Sequence, residues 1–197
     1  MWRAALTLGA ARRSGKALPP LLFFTDPVRT PRPERTIALL PRGAGVVFRA
    51  FGASDAEAQG RSLARQARRR GLVFLVGADA GLAVRLAADG VHLPQSLARR
   101  AGAIRALHRR FLVTAAAHDL PAALAAGRAG VDAIVVSPIF PSASPSAGRP
   151  LGPRALAVLA RRAGLPTYAL GGVDAVTVRG LKHAGAVGVA AIGGLIG

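Results

Sequence analysis

The chain has 197 residues, 27 of them lysine or arginine against 9 acidic ones, a net charge of +18, and no cysteine. It is 51% hydrophobic and only 18% charged, a balance that suits one domain with a substantial core and excludes a disordered chain. The missing cysteines exclude disulfides, cysteine metal sites and a thiol nucleophile, and no apolar run approaches the roughly 20 residues needed to span a bilayer.

Residues 1–20 are basic, with no acid before Asp26, and their apolar stretch is short and broken by Thr7 and Gly9. This composition fits an N-terminal helical extension covering the bottom of a domain better than a targeting peptide, so a cytoplasmic location is expected. The domain itself is expected over residues 21–197. Its first strand is Leu21 to Thr25, closed by Asp26-Pro27, and its second is Gly45 to Arg49. Ser54 and Glu57 have the spacing of a capping box for a helix ending near Gly71. Val73 to Val76 is the third strand and Ala80 to Ala88 a short helix. Gly90 to Leu93 is the fourth, followed by a helix to about Arg109.

Phe111 to Ala115 reads as the fifth strand. His118-Asp119 then opens a helix with Pro121 in its first turn, where a missing N–H costs little. Ile134 to Val136 is the sixth strand, and it leads into a Ser/Pro/Gly loop over Ser137 to Gly152 and a helix to Ala163. Two runs of small and apolar residues close the chain, one ending in Gly171-Gly172 and the other in Gly193-Gly194. A buried parallel strand has this composition, and glycines at its carboxyl end let backbone N–H groups approach an anion. Eight strands alternating with helices predict an α/β, single-domain (β/α)8 TIM barrel with a short or missing last helix and an extra N-terminal helix.

The positive charge does not by itself call for nucleic acid. Every basic residue but Lys16 and Lys182 is arginine, in pairs such as Arg99-Arg100 and Arg161-Arg162 near expected helix ends, where cations suit the helix dipole. The aromatic residues lie in strand-like runs and form no stacking platform interleaved with charge. Neither a specific nucleic-acid partner nor a membrane partner is expected; a homo-oligomer is compatible with the sequence.

Four motifs in order, Gly90-Val-His92-Leu93-Pro-Gln95, Ser137-Pro138-Ile-Phe140-Pro141-Ser142-Ala-Ser144, Ala169-Leu-Gly171-Gly172-Val and Ala184-Gly185-Ala-Val-Gly188-Val-Ala, resemble the thiamine-phosphate synthase/TenI family. The likeness runs over roughly residues 20 to 195. It implies a barrel that handles thiazole phosphate in thiamin biosynthesis, and for the synthases a joining of pyrimidine pyrophosphate to thiazole phosphate with Mg2+. The chain departs from the synthase pattern. Where the family has Gln-x-Arg-x-Lys it has Val47, Arg49 and Phe51, and where the family has Asn-Asp it has Gly77 and Ala78. A second metal carboxylate falls on Leu97, a serine on Ala116 and a lysine on Pro145.

The thiazole-phosphate half is kept better. Ser142 and Ser144 preserve hydroxyls, and Gly171, Gly172, Gly193 and Gly194 preserve the glycine turns, although a serine usual in the family is Gly193. The resemblance therefore implies substrate binding by Arg49, Ser142, Ser144, Gly171, Gly172, Gly193 and Gly194, with His118 as acid/base in a TenI-like proton transfer. That chemistry requires no metal or other cofactor; the partner is a small phosphorylated thiazole ligand. Two readings stand beside it: a synthase with Mg2+ relocated to Asp26 or Asp79, and a non-catalytic phosphate-binding or scaffold protein. Particular residues also stay open: His118 caps a helix or does chemistry, and Arg49 meets a phosphate or Asp26. His92 is expected to be structural, and His108 and His183 to be exposed on helices.

Overall fold

The computed structural model describes residues 2–8, 11–13, 15–142 and 148–193. Eight parallel strands close into a barrel: β1 (Leu21–Phe24), β2 (Gly45–Phe48), β3 (Val73–Gly77), β4 (Gly90–Leu93), β5 (Leu112–Ala117), β6 (Ala133–Val136), β7 (Thr167–Leu170) and β8 (Gly188–Ala191). Closure comes from β8 pairing with β1 in the register Val189 with Leu21 and Ala190 with Leu22. Around the barrel lie α1 (Pro33–Leu39), α2 (Ala56–Arg69), α3 (Ala80–Arg85), α4 (Ala101–Leu107), α5 (Leu120–Arg128) and α6 (Gly152–Ala163), with a 3-10 turn over Thr177–Leu181 between β7 and β8.

Strand side chains alternate between two apolar layers, as a period of two requires. Leu22, Phe24, Val47, Leu75, Leu112, Val135 and Tyr168 fill the barrel. Their neighbours Leu21, Phe23, Val46, Phe74, Val113 and Ile134 pack outward under the helices. Both faces being buried explains why the strands read as unbroken apolar runs. Each buried leucine or phenylalanine in these layers contributes about 1.5–3 kcal/mol.

Several local expectations change. The Ser54–Glu57 capping box does not form: α2 begins at Ala56, its N-cap Asp55 makes no side-chain cap bond, and Glu57 instead accepts from Arg61 and Arg85. The helix starts one residue too late for the box, which places Glu57 second in it rather than third. The helix expected to reach Arg109 is a 3-10 segment over Gln95–Arg100 followed by α4. His108 terminates α4 and stacks on Phe111 at 4.7 Å, while His183 lies in a turn and is exposed, so neither histidine is within a helix. Residues 27–44, given no element from the sequence, contain α1, started by Pro33 at its first turn.

The N-terminal extension divides into two parts. Its helix, Trp2–Leu6, buries Ala5 in the outer apolar layer and packs beside β8 and the 3-10 turn rather than under the barrel. The bottom is covered by the following ribbon, which pairs Arg12–Arg13 with Lys16–Ala17, and by Leu18, which joins the interior cluster. Lys16 binds the Phe111 carbonyl and lies 3.6 Å from the fully buried Asp132 carboxylate. Asp132 also accepts from Arg105 at 2.6 Å and from the Val113 N–H at 2.9 Å, so the buried charge has the partners that burial demands.

Close packing at the foot of the barrel depends on Gly90. A Cβ there would lie 2.0 Å from the Leu112 carbonyl oxygen and 2.6 Å from its nitrogen. We expect Gly90→Ala to cost about 3 kcal/mol or more through forced separation of β4 from β5; urea unfolding at constant slope measures it, and a loss within 0.5 kcal/mol contradicts the packing argument.

Candidate active site

The carboxyl ends of the strands open onto two adjoining lobes. One, with a volume near 1210 Å³, lies over β6, β7, β8 and the β1 loop; the other, near 800 Å³, lies over β2 to β5. Arg49 and Leu170 line both and form the divide. Interior-facing alternation puts Arg49 there: it follows Val47 by two residues, just past the end of β2.

The larger lobe gathers Arg49, His118, Ser142, Gly171, Gly172 and Gly193, six of the eight positions singled out from the sequence. Ser144 and Gly194 lie outside the described residues. Arg29 and Arg149 also line this lobe, giving it three arginines against one carboxylate, Asp174. Sequence reasoning missed both arginines. Each stands alone in a loop within an arginine-rich chain, so composition hides it; the only signal was proximity to Asp26-Pro27 and to the Ser137–Gly152 loop.

His118 follows β5 directly. Asp119, not His118, caps α5, accepting from the Ala122 N–H at 2.7 Å. The histidine is left to other contacts: its backbone N–H donates to Gln95 Oε1 at 3.0 Å, and its Nδ1 lies 2.8 Å from the Ser137 carbonyl. A carbonyl only accepts, so Nδ1 carries the proton in this contact and Nε2 keeps its lone pair in the neutral ring. That arrangement can take a proton from a bound ligand and return it.

Of the two readings of Arg49, the structure shows the contact with Asp26. Its Nε donates to the Thr25 carbonyl at 2.7 Å and an Nη to Asp26 Oδ2 at 3.0 Å, leaving further guanidinium N–H groups for a ligand. Burial pulls the guanidinium below its ordinary value; Asp26 opposes the shift and Arg29 adds to it. Burial works against ionisation of Asp26, but N–H groups of Arg29 and Val28 and the charges of Arg49 and Arg29 outweigh it and hold the carboxyl below its ordinary range.

The glycine pair owes its identity to packing. Gly171 and Gly172 both have positive φ, +93° and +64°. A Cβ on Gly171 would meet Pro138 at 2.9 Å, and one on Gly172 would meet the Pro141 carbonyl at 2.3 Å. They seat the loop after β6, whose Ile139 and Phe140 N–H groups donate to Leu170 and Gly171 carbonyls at 2.9 Å each.

The two carboxylates to which a synthase-type Mg2+ would have to be relocated both make contacts within the protein. Asp26 is committed to Arg49 and to the Val28 and Arg29 N–H groups. Asp79 lines the other lobe and caps α3 through the Leu82 N–H at 2.8 Å. Among the described residues no three His, Asp or Glu side chains come together as metal ligands.

Fold and site together define a (β/α)8 barrel with a cationic cleft at the carboxyl ends of its strands. The sequence profile described as thiamine monophosphate synthase matches residues 25–195, and the chain belongs to that family. It is similar to the thiamine-phosphate synthase of Geobacillus kaustophilus, 38% identical over 71% of this chain and 63% of that protein. The thiamine-phosphate synthase of Chloroflexus aurantiacus is 33% identical over 66% of this chain and 60% of its own length. The match thus spans less than two thirds of these curated relatives. Among solved structures, the thiamine phosphate pyrophosphorylase from Pyrococcus furiosus superposes with a TM-score of 0.74 at 22% identity, covering 87% of this chain and 84% of that one. No helix among the described residues is long and apolar enough to cross a membrane.

His92 projects into the barrel from β4, bonded through Nδ1 to Thr114 Oγ1 at 3.0 Å and edge-on to Phe24 at 4.8 Å. Burial, helped by the charge of Arg49, pushes its pKa down to about 3, so the folded protein holds it neutral. The unfolded chain takes up a proton near pH 6.5 that the fold refuses, and stability falls as pH drops from about 6.5 toward 3. Between pH 6 and 5, His92 is expected to contribute a slope approaching about 1.4 kcal/mol per pH unit. Unfolding titrations of the protein and of His92→Gln test this; equal slopes in the two proteins would rule it out.

Proposed function

We propose that the larger lobe binds a small phosphorylated thiazole and that His118 moves a proton on it, a TenI-like tautomerisation rather than the synthase reaction. The observation that carries this reading is the inequality of the two lobes. Three arginines, two serines and the glycine turns surround the first, whereas the second has Gly77 and Ala78 where metal and pyrophosphate ligands would be needed.

Arg49, Arg29 and Arg149 supply charge for a phosphate dianion, with Ser142 and the backbone at Gly171, Gly172 and Gly193 beside them. Cationic and hydrogen-bonded contacts of this kind set both affinity and position. With Nδ1 held by Ser137, the Nε2 lone pair of His118 accepts the proton, and the resulting imidazolium returns it to a second atom of the same ligand. No atom leaves and no metal is required. A cytoplasmic location and the absence of a nucleic-acid partner accompany the proposal; the arginines outside the cleft serve as solvated surface.

The synthase reading is favoured by one specific observation, the names borne by the relatives, and a direct experiment separates the two. Calorimetry should show thiazole phosphate binding without Mg2+ and no binding of pyrimidine pyrophosphate with it. Binding of both ligands, with pyrophosphate released on mixing, would establish the synthase instead. His118→Ala should lower turnover about a hundred- to ten-thousandfold and change the dissociation constant less than threefold. Retained turnover would remove the histidine from the chemistry; phosphate binding with no turnover in the unaltered protein would leave a non-catalytic binder.

A further inference from the structure

We infer that the amino-end face of the barrel, over the connections that lead into β2, β3, β4 and β5, docks on an anionic lipid surface. This face lies at the opposite end from the cleft, and its docking is independent of what the cleft binds. Its arginines are solvated in the free protein and meet lipid phosphates and carboxylates in the docked one.

Charge is divided between the two ends of the molecule. Of the 9 acidic residues, only Asp89 and Asp132 lie at the amino ends of the strands; the others follow a strand or open a helix. Asp132 is fully buried between Arg105 and Lys16, and Asp89 accepts from the Phe74 N–H at 2.7 Å. Arg42, Arg68, Arg69, Arg70, Arg109 and Arg110 are all exposed at this end. Among the described residues, none of the six is paired with a carboxylate. The helix dipole favours cations in a last turn but fades beyond it. Arg42, Arg109 and Arg110 lie past the caps Leu40 and His108, so the dipole does not account for them. Like charges gathered in this way repel one another and weaken the fold, a cost that an anionic partner offsets.

Hydrogen bonds knit these connections into one surface. The Gly43 N–H donates to the Gly71 carbonyl at 3.0 Å and the Leu112 N–H to the Asp89 carbonyl at 2.9 Å. Arg70 donates to the Leu40 carbonyl at 3.1 Å and Arg68 to the Ala87 carbonyl at 3.2 Å. Since β2, β3, β4 and β5 are successive neighbours in the barrel, the result is a continuous cationic arc on which two guanidinium groups are already held. Local sequence gives no reason to expect a membrane partner, because the arc is assembled from segments far apart along the chain.

Two leucines decide between a lipid surface and another polyanion. Leu39, the last residue of α1, is 64% exposed, and Leu107, the last of α4, is 79% exposed. They mark the two ends of the arc, with the arginines between and beside them. A hydrated phosphate backbone has no use for exposed leucine. A membrane interface takes both kinds of side chain: apolar ones enter between the headgroups while cations stay at headgroup level.

Flotation of the full chain with vesicles of phosphatidylserine and phosphatidylcholine, set against vesicles of phosphatidylcholine alone, tests the proposal. Binding should require phosphatidylserine and weaken as salt is added. Arg109→Gln with Arg110→Gln should weaken it about 30-fold, at roughly fivefold for each arginine. Leu39→Ser with Leu107→Ser, which leaves the charge unaltered, should weaken it about tenfold or more. Arg154→Gln with Arg179→Gln removes equal charge on the other side of the barrel and should change it less than about threefold. All six substituted residues are exposed, so each variant keeps the core intact. Equal binding to both kinds of vesicle, indifference to the leucines or to the Arg109 pair, or an equal loss with the Arg154 pair would each overturn it. Tighter binding of duplex DNA or polyglutamate to the same residues would overturn it as well.

Discussion

Hydrogen bonding between β8 and β1 is the constraint from which the remaining features follow. Once the sheet closes, no strand can slip by one residue without exchanging its barrel-filling side chains for those that face the helices, so the fate of every alternate side chain is settled. Leu22 and Phe24, Val47 and Arg49, Leu75 and Gly77, and Leu112 and Thr114 are successive storeys of the same interior column. The lower storeys are apolar and fill space. The uppermost storey emerges at the mouth, and its chemistry is the chemistry of the site.

The uppermost storey is uneven, and the unevenness makes two compartments. Arg49 rises between them, held by Asp26 and Thr25 on one side and faced by aromatic rings on the other. Charge accumulates where the β1, β6 and β7 loops meet, because Arg29 and Arg149 arrive there from outside the strands. Across the divide, alanines and a glycine leave an apolar recess. A barrel scaffold tolerates such local remaking because its stability resides lower down, in the interior column and in the buried Asp132 cluster.

Much of this architecture was legible in the sequence. All eight strands were expected within two or three residues at most ends, since runs such as Leu21–Phe24 and Ile134–Val136 are too apolar to be anything but buried. Six of the candidate site positions meet in one cleft because all but Ser142, which sits further along the loop after β6, lie just beyond a strand's carboxyl end. What escaped the sequence depends on partners distant along the chain. Glu57 pairs with Arg85, 28 residues on. Lys16 reached Asp132 from the extension, and Tyr168, buried in the barrel, donates to the Pro19 carbonyl at 2.6 Å. Local spacing carries no information about such long-range choices, nor about which two of many arginines come to line the larger lobe.

The glycine pair after β7 bears on how mutagenesis of this cleft is to be interpreted. Pro138 and the Pro141 carbonyl press against the very hydrogens that a methyl group would replace. An alanine at Gly171 or Gly172 would push the whole segment after β6 outward, carrying Ser142 and the carbonyl of Ser137 with it. The His118 ring would lose its tether in the same movement. Impaired function in such a variant would report displaced architecture, not a lost backbone contact to an anion. Side chains that protrude freely, Arg149 foremost, are the positions where a functional deficit can be assigned to ligand recognition itself.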